Sequence, residues 1–206
     1  EKRKQEKREK EEGKLVKTEP LLSSLKSIDL SKNLITGVGF SSIIAACSGV
    51  TWHPKIHGAE AMASKFGGRS IKTKLGHMIS SSVLTRSCPL EMLNLSCNKI
   101  GDHPEAEFSI EVFLSNDRNS LTQIDMSYNE LGPKVGKSLG KAMRLNQNLK
   151  ECNFRWNDFA GGAAKAICNS LRDNGVLISL DLSFCSIDDD AVVVLAKVLS
   201  FATSKL

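Results

Sequence analysis

The sequence predicts an α/β solenoid in the shape of a horseshoe, with parallel strands on the concave face and helices on the convex face. One apolar pattern occurs three times with a constant step of 28 residues. The three copies begin at Leu121, Leu149 and Leu177. Each copy opens with apolar residues at alternating positions, which is the period of a strand. Residues with helical spacing follow the turn, such as Val135, Leu139 and Met143.

Further copies of the pattern occur nearer the start of the chain. Clear copies begin at Leu25 and Leu90, and the 65 residues between these starts are about the length of two repeats. A degenerate copy fits residues 56–67, with alanines at its core positions, Ala59 and Ala61. The sequence thus predicts about six repeats in residues 21–206, the second of them degenerate.

The region 48–89 has a second interpretation. A degenerate repeat there would continue into a helix that contains Ile71 and Ile79. The alternative is a long insertion, although structureless loops of more than about 15 residues are uncommon inside a compact domain. The final helix, which contains Val193, shows no polar cap, so we expect this array to be part of a longer one or to end against another chain.

The pattern L-x-x-L-x-L-x-x-N/C-x-L, with a 28-residue period and an outer helix, resembles the ribonuclease-inhibitor-like class of leucine-rich repeats. The resemblance covers residues 25 to about 204. It implies that the side chain at the ninth position of each repeat bonds to main-chain groups of the neighbouring coil. The residues of this expected ladder are Asn33, Asn98, Asn129, Asn157 and Cys185.

Residues 1–20 form a charged N-terminal extension or linker. They hold eight lysines and arginines and six glutamates, with few apolar residues to bury. The rest of the chain has 20 basic and 17 acidic residues, and this near balance gives no electrostatic reason to expect nucleic acid as a partner. No run of 18 apolar residues is present, so we expect no membrane partner.

The sequence contains no strong motif for catalysis, a cofactor or a small-molecule substrate. The segment from Gly132 to Ser138 resembles a phosphate-binding loop but has three residues between its glycines where that loop needs four. His53 and His57 are four residues apart without the flanking pattern of a zinc site, so we expect no metal. The acidic run at 188–190 precedes the last helix, where it complements the helix dipole.

The side chains that point away from the core suggest a surface for other proteins. The eighth position of three consecutive repeats is aromatic, namely Tyr128, Trp156 and Phe184, in a chain with 11 aromatic residues. Asp125, Arg155 and Asp181 stand beside these positions and complete the expected binding surface on the concave face. The aromatic side chains have a second possible role, which is to pack on one another and close the edge of the solenoid.

These observations predict a non-catalytic protein–protein interaction scaffold that contacts its partners through the concave face and the charged extension. Six scattered cysteines indicate a reducing compartment and a cytoplasmic location. Family resemblance adds a cytoskeletal or ciliary assembly as a finer expectation. It also leaves two alternatives open: a GTPase-activating or regulatory protein that resembles the Ran GTPase-activating protein, and the ligand-sensing repeat domain of a Nod-like receptor.

Overall fold

The computed structural model describes residues 24–47, 70–72, 78–80, 89–115 and 119–203. Strands and helices alternate along most of this part of the chain. In order, the elements are β1 (Ser27–Asp29), α1 (Gly37–Cys47), β2 (Ser70–Lys72), β3 (Met78–Ser80), β4 (Met92–Asn94), α2 (Pro104–Leu114), β5 (Gln123–Asp125), α3 (Pro133–Leu145), β6 (Glu151–Asn153), α4 (Gly162–Ser170), β7 (Ser179–Asp181) and α5 (Asp189–Thr203).

Five short strands form one parallel sheet in the order β1-β4-β5-β6-β7. The middle residue of each strand pairs with the middle residue of the next. These residues, which face the core, are Ile28, Leu93, Ile124, Cys152 and Leu180. Each helix packs against the helices of the neighbouring coils. The predicted α/β solenoid is therefore confirmed.

The outer helices follow from local sequence signals. Pro104 and Pro133 open α2 and α3, where the missing N–H of proline costs no hydrogen bond. In α3 the residues Val135, Leu139 and Met143 recur at four-residue spacing and are all buried against the core. The helical spacing in the sequence therefore predicted the buried face of α3 correctly.

The first two coils of the sheet are joined directly, across the irregular region of the sequence. Ser27 of β1 pairs with Met92 of β4, and a further bridge joins Thr36 to Lys99. A strand from the predicted degenerate repeat has no place between β1 and β4, because β4 already occupies that edge of β1. The sheet among the described residues therefore has five strands, and not the six that the repeat count implies.

Part of the irregular region forms a separate antiparallel pair of strands. Ile71 in β2 pairs with Ile79 in β3, so the prediction of a helix containing both residues is wrong. The two strands do not join the parallel sheet. The predicted repeat at 56–67 and the charged extension 1–20 lie outside the described residues.

Ninth-position side chains connect each coil to the one before it. Four of them donate a hydrogen bond to the carbonyl oxygen at the sixth position of the preceding coil. The pairs are Asn98 with Leu30 at 2.9 Å, Asn129 with Leu95 at 2.9 Å, Asn157 with Met126 at 3.0 Å, and Cys185 with Phe154 at 3.0 Å. Asn33 is exposed, and its amide donates to Leu30 and Ser31 within its own turn. The buried members of the set thus hold consecutive coils together.

A second row of asparagines lies at the other end of the strands. Each of these side chains donates to a carbonyl oxygen at or near the carboxyl end of a helix, where the main chain lacks helical partners. The pairs are Asn119 with Phe113 at 2.8 Å, Asn146 with Leu114 at 2.7 Å, and Asn174 with Met143 at 2.7 Å. Asn146 and Asn174 also accept from the main chain that enters the next strand, so each fixes the passage from helix to strand.

Helices α3 and α4 approach one another closely at glycines of α3. A Cβ atom at Gly140 would lie 2.6 Å from the main-chain carbonyl carbon of Ala166, which cannot move aside like a flexible side chain. A Cβ atom at Gly136 would lie 2.9 Å from Cβ of Ala163 in α4 and 2.6 Å from Cδ1 of Phe159, just before that helix. The spacing between these helices therefore depends on the absence of side chains at both positions.

We expect Asn157→Ala to lower the free energy of unfolding by about 3 kcal/mol or more. The side chain of Asn157 donates to Met126 and Phe154 and accepts from the amides of Asn129 and Leu131. Each buried polar group left without a partner costs about 1–3 kcal/mol. Asn33→Ala is the matched control and should cost less than about 1 kcal/mol because Asn33 is exposed. Equal losses in urea unfolding would contradict this account of the ladder.

We expect Gly140→Ala to destabilise the protein although alanine favours helices. Overpacking in a filled interior costs about 1–3 kcal/mol, whereas the gain in helix propensity is about 1 kcal/mol. Gly175→Ala is the control, because a Cβ there meets nothing within 4 Å. Thermal unfolding should show a lower midpoint for Gly140→Ala alone. A midpoint at or above that of the parent would show that the helices can move apart freely.

Candidate protein-binding site

The eighth residue of every described coil adopts the same left-handed backbone conformation. The φ angles are 57° at Lys32, 56° at Cys97, 55° at Tyr128, 57° at Trp156 and 57° at Phe184. Residues other than glycine rarely adopt this conformation. Its recurrence shows that the turn after each strand is imposed by the coil and does not depend on one type of side chain.

Three of these eighth residues form a stack, which we call the aromatic column: Tyr128, Trp156 and Phe184. The ring centroids of Tyr128 and Trp156 are 5.5 Å apart with an interplanar angle of 19°. Those of Trp156 and Phe184 are 4.2 Å apart with an angle of 8°. The three residues remain 45%, 43% and 60% exposed, respectively. The column therefore combines internal stacking with a large apolar surface open to solvent.

The aromatic column lines a cleft at the carboxyl ends of the strands, which we call the acidic cleft. Its volume is about 660 Å³. The lining residues besides the aromatic column are Asp102, Glu130, Gly132, Pro133, Asn157 and Asp158. Arg155 lies beside the column, with its guanidinium carbon 5.1 Å from the ring centroid of Phe184. The cleft thus joins apolar ring surface to three carboxylates.

Asp125 and Asp181, the other two residues of the predicted surface, lie in a different groove. They line a groove of about 480 Å³ over the strands, together with residues of all five strands of the parallel sheet. The structure thus brings the three aromatic residues and Arg155 together and places the two aspartates on the neighbouring strand surface. The predicted surface consists of two adjoining parts.

The fifth-position side chains have a structural role that the sequence analysis did not assign. In each coil this Asp or Asn accepts a hydrogen bond from the amide two residues later, which ends the strand in an Asx turn. The pairs are Asp29 with Ser31 at 2.8 Å, Asn94 with Ser96 at 3.0 Å, Asp125 with Ser127 at 2.9 Å, Asn153 with Arg155 at 3.1 Å, and Asp181 with Ser183 at 2.8 Å. The signal in the sequence was the recurrence of Asp or Asn two residues before Ser or Arg.

Acidic and amide side chains alternate along the row of fifth positions. These residues are direct neighbours in the parallel sheet, so adjacent aspartates would repel each other. Asn153 instead donates to Oδ2 of Asp125 at 2.9 Å, while Ser127 donates to Oδ1 through its amide and its hydroxyl. Both oxygens of Asp125 therefore have partners within the protein.

Comparison with known proteins agrees with this repeated geometry. A family model described as "Leucine Rich repeat" matches residues 86–103 and 170–196. The chain carries leucine-rich repeats. It is also similar to Protein CARMIL of Dictyostelium discoideum, with 30% identity over 77 residues, which are 37% of this chain and 7% of that protein. The leucine-rich repeat model and the sheet of five parallel strands thus point to the same architecture.

The leucine-rich repeat frame also accounts for the segment that resembles a phosphate-binding loop. Gly132 precedes α3, and the amides of Lys134 and Val135 donate to the carboxylate of Asp102 at 3.3 and 2.8 Å. A carboxylate from the preceding coil thus already caps this helix. A Cβ atom at Gly132 would lie 2.6 Å from Cγ of Asp102, so glycine is needed for this close approach.

The remaining candidate groups have structural partners or are buried. Asp188 accepts a hydrogen bond from the amide of Ala191 at 2.8 Å, and Asp190 pairs with Lys165 at 2.6 Å. Burial raises the pKa of the Cys152 thiol to about 12. The described residues contain no group of three His, Cys, Asp or Glu side chains arranged to hold a metal, and His53 and His57 lie outside them. Of the helices in the described ranges, none has the length and apolar character needed to cross a membrane.

We expect Asp181 to make the stability of the fold depend on pH in the acid range. Hydrogen bonds from the side chain and the amide of Ser183 lower the pKa of Asp181, and the charge of Arg155 lowers it further. The folded pKa therefore lies below the unfolded value of about 3.9. The stabilising effect is complete above the unfolded pKa and is lost as pH falls through the folded pKa.

The variant Asp181→Asn tests this dependence because asparagine keeps the acceptor oxygen and does not titrate. Urea unfolding at a series of pH values should show a smaller loss of stability on acidification for the variant than for the parent. Asn153 shows that an amide can accept the same hydrogen bond in this turn. An equal loss of stability on acidification in the two proteins would contradict the expected contribution of Asp181.

Proposed function

We propose that this leucine-rich repeat array is a non-catalytic scaffold that binds other proteins, and that the aromatic column is the centre of its binding surface. Arrays of this kind present an extended surface on which side chains of successive coils align. The aromatic column is such an alignment. Aromatic side chains that a partner buries often contribute about 2 kcal/mol or more each to the binding free energy.

The main support for this proposal is that the eighth residue has the same backbone conformation in all five described coils. Lys32 and Cys97 adopt the same left-handed turn as the aromatic residues, so the turn does not require an aromatic ring. Stacking of an aromatic pair contributes about 0.5–1.5 kcal/mol, but so large an exposed apolar surface is not needed for that gain. The exposure of three consecutive rings is better explained by a partner that covers them.

The alternative role as a regulator of a GTPase is less well supported by the geometry. That role needs a polar side chain at the strand ends that can reach a partner. Asn129 is 0% exposed and donates to Leu95 and Ser127. Its side chain therefore cannot reach a partner without breaking the hydrogen bonds of the ladder. Arg155 is exposed but lies over the ring of Phe184, beside the aromatic column.

The proposed setting is the cytoplasm, within a larger assembly such as a cytoskeletal or ciliary one. Cys97, Cys152, Cys168 and Cys185 are free thiols, which suits a reducing compartment.

We expect the variant Tyr128→Ala/Trp156→Ala/Phe184→Ala to lose a defined set of partners in a proximity-crosslinking pull-down from cells. The control variant Leu145→Ala/Ile178→Ala/Val193→Ala removes three exposed apolar side chains outside the acidic cleft and should keep those partners. Circular dichroism must first show that both variants fold. An unchanged partner list for the aromatic variant would overturn the proposal.

A further inference from the structure

The acidic cleft has unsatisfied negative charge beside its apolar rings. Glu130 and Asp158 occupy the tenth position of consecutive coils, and both are exposed. No lysine or arginine among the described residues forms an ion pair with either of them. Asp102, in contrast, is engaged by the amides at the start of α3. The free carboxylates of the cleft are thus those of Glu130 and Asp158.

The orientation of the rings limits how a partner can use them. Because the rings of the aromatic column stack nearly parallel, their faces largely cover one another and their edges are presented to solvent. Ring edges carry partial positive charge, so they do not attract a cation directly. They can pack against the methylene stem of a long basic side chain whose charged end reaches a carboxylate.

We propose that the acidic cleft binds an extended, arginine-bearing segment of another protein. This inference rests on the proposed function and names the chemistry of the partner. The guanidinium groups bond to the carboxylates of Glu130 and Asp158, and the arginine stems lie along the edges of the aromatic column. Arginine suits the site because its planar group can donate two parallel hydrogen bonds to one carboxylate.

The spacing of the coils is compatible with such a segment. Neighbouring parallel strands lie about 4.8 Å apart, and alternate side chains of an extended chain lie about 6.6 Å apart. Arginine side chains are long and flexible enough to span this difference. The whole chain carries a formal net charge of +5, so a basic peptide gains nothing from the overall charge and must be held by a local acidic surface.

The test uses the purified full chain and a fluorescent probe peptide of five Arg-Ser repeats, with fluorescence anisotropy as the measurement. We expect Glu130→Gln/Asp158→Asn to weaken binding about tenfold or more. The control Asp173→Asn/Asp189→Asn changes the net charge equally at exposed sites outside both the cleft and the groove over the strands, and it should weaken binding far less. A peptide of five Glu-Ser repeats should not bind.

The inference is overturned by equal weakening in both double variants, and also by no binding of the Arg-Ser peptide to the parent chain. Loss of peptide binding in Trp156→Ala but not in Glu130→Gln/Asp158→Asn would also overturn it, because the rings alone would then hold the peptide. That result leaves the proposed function standing. Failure of the proposed function appears separately, as an unchanged partner list in the crosslinking experiment with the aromatic variant.

Discussion

The structure depends on one interaction between consecutive coils, which is the hydrogen bond from a buried ninth-position side chain to a main-chain carbonyl of the preceding coil. The parallel strands are only three residues long, so their own ladder provides few hydrogen bonds per coil. Asn98, Asn129 and Asn157 satisfy carbonyl groups that the end of the strand leaves without partners, and Cys185 continues the row with its thiol. Because this bond recurs at the same position, every coil keeps the same register, and the turns that follow the strands lie directly beside one another.

This regularity produces the candidate binding site. Each strand ends in an Asx turn at the fifth position, and the eighth residue then takes a left-handed conformation that places equivalent side chains side by side. With lysine and cysteine the turn forms without a stack, as at Lys32 and Cys97. With three aromatic residues in succession, the same backbone generates the aromatic column. The fold thus supplies the alignment, and the choice of side chain supplies the chemistry.

The sequence alone predicted the features that recur in each repeat. It did not predict single interactions between residues that lie far apart in the chain. The core-facing residues, the outer helices and the aromatic positions could all be read from the period. The second asparagine row, at Asn119, Asn146 and Asn174, lies outside the leucine pattern, so its near-regular spacing was missed. The direct pairing of β1 with β4 could not be predicted, because 62 residues separate the two strands. The spacing of apolar residues within a repeat does not show which strands pair with each other. Asp125 looked available to a partner because the sequence does not show that both of its oxygens are already engaged.

Hydroxyl-radical footprinting is the most direct test of the proposal that a partner covers the aromatic column in the cell. Oxidation of Tyr128, Trp156 and Phe184 would be measured by mass spectrometry for the purified chain and for the chain in native cell extract. Phe201, which is 44% exposed on α5 and outside the acidic cleft, serves as the internal reference. We expect oxidation of the three column residues to fall several-fold in the extract relative to Phe201. Equal oxidation in both samples would contradict it and would leave the column as a structural stack.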